Sequence, residues 1–170
     1  DAVQAAGKVP IDVNRMQCHA LSISGHKLHG PQGTGALFLK KGSQLHPLFH
    51  GGRHERSRRA GTENVPGIVG LGEAAKLASE SLNDGAIDRL TAMRDRLQRD
   101  VLDRIEGTTL NGHGAQRVPN TANIRFDHIE GESLVIALDL KGLAVSTGAA
   151  CSSGAIEPSH VLIAMGLRPE

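Results

Sequence analysis

Ala20-Leu-Ser-Ile-Ser-Gly-His-Lys27, with Gly30-Pro-Gln-Gly-Thr-Gly35 and Ala36-Leu-Phe-Leu39 after it, decides how the chain is read. Residues 20–24 alternate apolar and small polar side chains, the pattern of a half-buried strand. The Gly/Pro loop predicts a turn, and residues 36–39 predict a second short strand. Lys27 stands just past the first strand, preceded by Ser22, Ser24, Gly25 and His26. An amine fixed there can form a Schiff base with a carbonyl group, while Ser and His donate hydrogen bonds to a phosphate. Burial or a neighbouring positive charge would free that amine. The plain alternative is a solvated lysine at a strand end, and this stretch alone leaves both open.

Asp1 lies 26 positions before Lys27, with Gln4 three residues further on. A carboxylate can keep a pyridine nitrogen protonated, which makes the ring an electron sink, and Gln4 can donate to a phenolic oxygen. Near the other end, Ser146-Thr-Gly-Ala-Ala-Cys151-Ser-Ser-Gly154 surrounds a thiol with small residues. Such a loop suits a mobile, ionisable cysteine that collects an atom and carries it away. A structural cysteine in a turn is the competing reading. Cys18 has no such surroundings and reads as packed.

Between these two stretches the period changes. Ile68, Leu71, Ala75 and Leu77-Ala78 predict a helix from Pro66 to near Asn83. Asp84 caps a second helix with Ile87, Leu90, Leu97, Val101 and Ile105 on one face. Its opposite face, with Arg89, Arg94, Arg96, Arg99 and Asp100, reads as solvated. Ala122–Phe126 predicts a strand, Gly131–Leu140 a short helix, Leu143–Val145 a strand, and Glu157-Pro158 the opening of a final helix. Residues 1–83 therefore form one part and residues 84–170 a small α+β part.

Composition is that of a globular protein, 39% hydrophobic and 22% charged over 170 residues, with a net charge of +1. Neither nucleic acid nor a membrane is called for, since the longest charge-free stretch, residues 142–156, is rich in Gly, Ser and Ala. Two cysteines suit a reducing cytoplasm. His46, His50 and His54 recur every four residues, but Pro47, Gly51 and Gly52 oppose the helix that would align them, so no metal site is expected.

Asp1-Ala-Val-Gln-Ala-Ala-Gly-Lys8, Ser24-Gly-His-Lys-Leu-His-Gly-Pro-Gln-Gly-Thr-Gly35, and Gly51-Gly-Arg-His-Glu-Arg56 with Arg59-Ala-Gly-Thr62 follow in that order. Together they resemble the NifS/IscS-type cysteine desulfurases, class V aminotransferases among the fold-type I pyridoxal-phosphate enzymes. The resemblance implies an α/β fold, with the end of a large mixed-sheet domain in residues 1–83 and a small α+β C-terminal domain in residues 84–170. It implies pyridoxal 5'-phosphate as cofactor, Lys27 as its covalent lysine, Asp1 as partner of the ring nitrogen and Gln4 at the phenolic oxygen. Ser24 and His26 would hold the phosphate, and Thr62 would reach the phosphate of a second subunit's cofactor, hence a homodimer. The Cys151 loop resembles that of the longer-looped group. L-Cysteine would then give L-alanine and a Cys151 persulfide, passed to an iron–sulfur scaffold or another sulfur acceptor.

The resemblance begins well inside the family's large domain and stops before the arginine that grips the substrate carboxylate. Arg168 lies too early to take that place. The expectation is a fragment, inactive alone, of an active parent. The alternatives are another fold-type I enzyme, such as a selenocysteine lyase or an aminotransferase, and a catalytically inactive fragment that only binds partners.

Overall fold

The computed structural model describes residues 1–147 and 159–167, which fall into two compact units. The first comprises Asp1–Arg94 with Gln116–Thr121, the second Asp95–Ala115 with Ala122 onward.

In the first unit, β1 (Ala20–Ser24) and β2 (Gly35–Leu39) pair antiparallel, from Ala20 opposite Leu39 to Ser24 opposite Gly35. Before them lies a run of turns over residues 2–9, then α1 (Val13–Met16). Asp12 caps α1, its carboxylate accepting from the Asn14 and Arg15 amides. Between the strands, Gly25–Leu28 forms a single 3-10 turn. After β2, the four-residue element α2 (His54–Ser57) holds Glu55 and Arg56 in left-handed conformation, and α3 (Val65–Ser81) follows. Asn64 caps α3 through the Gly67 amide, and Pro66 sits in the first turn, where its missing N–H costs nothing.

The buried face of α3 matches the expected one only in part, with Leu71 buried and Ala78 against the core as expected. Gly67, Leu71 and Ala74 are buried, whereas Ile68 and Leu77 are 48% and 53% exposed. The reason is space. A Cβ on Gly70 would lie 2.6 Å from the Pro31 ring, and one on Gly30 would lie 3.0 Å from the Ala74 Cβ. Only small side chains fit at Gly70 and Ala74, where the helix meets this loop, so size as well as hydropathy selects the face. The core is small: Ala6, Leu28, Leu71 and Ala74, flanked by Ile11, Ile23 and Ala78.

Asp84 opens α4 (Ala86–Arg104) as expected, its carboxylate accepting from the Ala86 amide. Two expectations for this helix fail. Leu90, Leu97 and Ile105 are exposed while Gln98 is buried, with its amide donating to Asp95. Arg94 is not merely solvated, because it donates to the Val118 carbonyl at 3.2 Å.

In the second unit, β3 (Thr108–Leu110) pairs antiparallel with β4 (Ile124–Phe126), and α5 (Gly131–Asp139) and α6 (His160–Ala164) follow. Residues 143–145 are not a strand. The Leu143 amide bonds back to Leu138 and the Gly142 amide to Asp139, a helix-ending motif with Gly142 at φ 78°. Leu143's donor is thus committed to closing α5. Gly166 ends α6 in the same way. Glu157 and Pro158 lie outside the described residues. No helix among those described is long and apolar enough to cross a membrane.

Candidate cofactor site

The site is assembled from the end of β1. The strand is extended through Ser24, and Gly25 then bends the chain into the 3-10 turn that holds Lys27. Gly25 is the residue this bend permits. Its amide donates to the Thr34 carbonyl at 2.8 Å, its carbonyl accepts from Gly30, and a Cβ there would collide with the Thr34 hydroxyl. The Thr34 hydroxyl is itself held by the Pro31 carbonyl at 2.7 Å. His29 closes the turn in left-handed conformation.

Within the turn, Ser24 Oγ and His26 Nδ1 are 2.8 Å apart. Leu28 is buried against α3 and anchors the turn, leaving Lys27 half-buried beside it. The leading segment docks on the same strand. The Ala2 amide donates to the Ser22 carbonyl at 2.9 Å, and buried Ala2 and Ala6 fix the turns that follow. Asp1 therefore starts beside β1, its carboxylate accepting from the Val3 amide, and Gln4 is exposed on the first turn. Gly7 (φ 72°) comes so close to the 3-10 turn that a Cβ would lie 2.9 Å from Leu28 Cδ2.

Sequence reasoning did not single out Lys8. Its amine donates to the Gln4 carbonyl at 3.0 Å. Burial first, and the positive charge of Lys27 second, hold that amine below its ordinary 10.5. The signal available in the sequence was the Gly7-Lys8 pair, whose glycine permits the close approach.

Hydroxyl, imidazole and amine thus gather at the end of β1, with the segment that starts at Asp1 docked on Ser22 of the same strand. This donor set fits a group that combines a phosphate, a carbonyl carbon and a basic ring nitrogen. Thr62 is not part of this cluster. With Phe49, His50, His54 and Arg59 it lines a separate cavity of about 460 Å³ in the loop before α3, and no residue of the lysine turn lines that cavity. Among the described residues no group of three or more His, Cys, Asp or Glu could hold a metal ion.

Cys151 lies outside the described residues. The described chain stops at Thr147, packed on Gly131 at the start of α5, where a Cβ would meet Thr147 Cγ2 at 3.1 Å. It resumes at Ser159, the residue before α6. Cys18 is half-buried, its sulfur 4.0 Å from the Val13 carbonyl.

Residues 1–167 match the aminotransferase class-V family. Over 170 residues the chain is 53% identical to a cysteine desulfurase IscS of Methanosarcina thermophila, covering all of this chain and 42% of that protein. The fold is similar to that of a NifS-like protein from Rickettsia africae, with a TM-score of 0.87 and 31% identity over 99% of this chain and 44% of that one. It is also similar to SspA in complex with cysteine, with a TM-score of 0.73 and 34% identity over 98% of this chain and 45% of the other. The chain therefore spans less than half the length of these proteins.

Proposed function

The chain belongs to the aminotransferase class-V family, and from that premise we propose that it contributes the cofactor lysine and the acceptor thiol of a cytoplasmic cysteine desulfurase. The cofactor would be pyridoxal 5'-phosphate, and the observation that carries the reading is the lysine turn. Half-buried Lys27 follows β1 directly, beside a Ser24–His26 hydrogen bond and next to the docked Asp1 segment. When bound, the cofactor supplies an electron sink that weakens bonds at the substrate's α-carbon.

The residues take these roles. Ser24 Oγ and His26 would hold the phosphate, Asp1 would keep a proton on the ring nitrogen, and Gln4 would donate to the ring oxygen. Lys27 would hold the cofactor and move the proton at the substrate α-carbon. The Cys151 thiolate attacks the sulfur of L-cysteine, and the carbon–sulfur bond breaks with its electron pair left on carbon. Protonation of that carbon gives L-alanine, and the sulfur stays on Cys151 as a persulfide. An iron–sulfur scaffold or another sulfur-acceptor protein takes it from there. Thr62, in its separate cavity, serves a second subunit's cofactor in a homodimer.

The 170 residues alone would not turn over, because the rest of the relatives' length brings the remaining walls of the site. A chimera with these residues in place of the matching segment of a full-length relative tests this. It should convert cysteine to alanine, and Lys27→Ala should lower the rate at least about a thousandfold. Wild-type turnover from Lys27→Ala would contradict the proposal, and alanine from the 170-residue chain would contradict the requirement for the rest.

A further inference from the structure

The β3–β4 pair ends on two asparagines. One step beyond Leu110 and its partner Ile124 stand Asn111 and Asn123, and the Asn111 amide donates to the Asn123 carbonyl at 2.9 Å. Their side chains are bonded as well, Asn111 Nδ2 donating to Asn123 Oδ1 at 2.6 Å. Both residues are half-buried. Gly112 follows in left-handed conformation at φ 73°, with nothing within 4 Å of where a Cβ would stand. Among the asparagines of the sequence only Asn111 precedes a glycine; the others precede Arg15, Val65, Asp84, Thr121 and Ile124.

An asparagine followed by glycine is chemically labile. The glycine nitrogen attacks the asparagine Cγ, a new carbon–nitrogen bond forms and the Cγ–Nδ2 bond breaks. The proton given up by the glycine nitrogen leaves with the amide as ammonia. Water then opens the five-membered imide at either carbonyl, giving aspartate or isoaspartate, with no oxidant or reductant. Glycine puts no side chain in the way of the attack.

We propose that Asn111 is a deamidation site of this chain and that the Asn123 side chain sets how fast it reacts. The attack needs the Asn111 amide to turn back onto its own backbone, whereas in the folded chain that amide is held across the strand pair. Breaking this hydrogen bond adds to the barrier, so the folded chain keeps its asparagine longer than the unfolded chain does. The product does not restore what is lost. A carboxylate at position 111 has no proton to give Asn123 Oδ1, and an isoaspartyl link adds a methylene to the backbone where β3 passes into the turn. Both loosen the open end of the β3–β4 pair. The inference is independent of the desulfurase reading.

Incubating the full-length chimera at mildly alkaline pH, then mapping its peptides by mass spectrometry, follows the exchange of –NH2 for –OH at each asparagine. Within these 170 residues Asn111 should convert first. Asn123→Leu, similar in size but without an acceptor, should convert Asn111 about two- to tenfold faster than wild type, the factor one hydrogen bond supplies. Asn123→Asp keeps an acceptor oxygen and should convert no faster than wild type. In concentrated urea, with the pair undone, wild type and Asn123→Leu should share one rate, above that of folded wild type. Folded wild type converting as fast as in urea overturns the proposal, whether or not either variant folds. So does first conversion at another of these asparagines, or an Asn123→Leu rate at or below that of wild type. An Asn123→Asp rate raised as far as that of Asn123→Leu overturns it too, since a loosened backbone rather than the lost acceptor would then be the cause.

Discussion

Ser24, Gly25 and Lys8 are the residues at which the site is most exposed to a single change. Ser24→Ala removes the 2.8 Å partner of His26 and one phosphate donor. In the full-length chimera, pyridoxal phosphate affinity should fall about ten- to a hundredfold, read by absorbance titration, since a hydrogen bond to a charged group contributes about 1.5–3 kcal/mol. Gly25→Ala drives a methyl group into the Thr34 hydroxyl and close to the Pro31 and Thr34 carbonyls. It should cost about 1–3 kcal/mol in urea denaturation. For Lys8 the sign follows from its depressed titration. Below 10.5 the unfolded chain binds this proton more tightly than the folded one, so folding stability rises with pH as that value is approached from below. Denaturation midpoints of wild type relative to Lys8→Met should therefore climb across that window. The strand end and the turn that carry Ser24, His26 and Lys27 were legible in the sequence because strand and turn chemistry are local. Lys8 was not, since its meaning depends on a contact between segments some twenty residues apart.

Element boundaries were readable wherever a cap or a period marks them. β1, β2, α3, α4 and α5 lie where the alternation, the helical period from Pro66, the Asp84 cap and the Gly131 start put them. The faces were less readable. Hydropathy pointed rightly to Leu71 and Ala78 but also to the exposed Ile68 and Leu77, and it missed Gly67 and Ala74, whose small size lets the Gly30-Pro31 loop come near. Residues 143–145 alternate like a strand, but Gly142 diverts the Leu143 amide into the end of α5. β3 went unseen because three residues carry too little pattern. The caps predict a measurable cost: Asn64→Ala should lower stability by about 1 kcal/mol, and the loss should appear in hydrogen exchange at the first turn of α3.

On the scale of the whole molecule, apolar side chains outnumber the surfaces available to cover them. Leu48, Phe49, Val65 and Val69 in the first unit, and Leu97 and Leu140 in the second, are all exposed. Such surface suits a chain that spans 42% of its relative's length. The family was legible in the sequence through the order of its motifs, whereas the placement of the thiol relative to the lysine was not, since Cys151 lies 124 positions from Lys27. The most direct test of that pairing is the mass of the Cys151 peptide after the full-length chimera has been exposed to L-cysteine and digested without reductant. The expected result is a gain of one sulfur atom on Cys151 that disappears in Lys27→Ala. Sulfur gained on Cys18 instead, or gained on Cys151 equally without Lys27, would contradict the assignment of the two residues to one reaction.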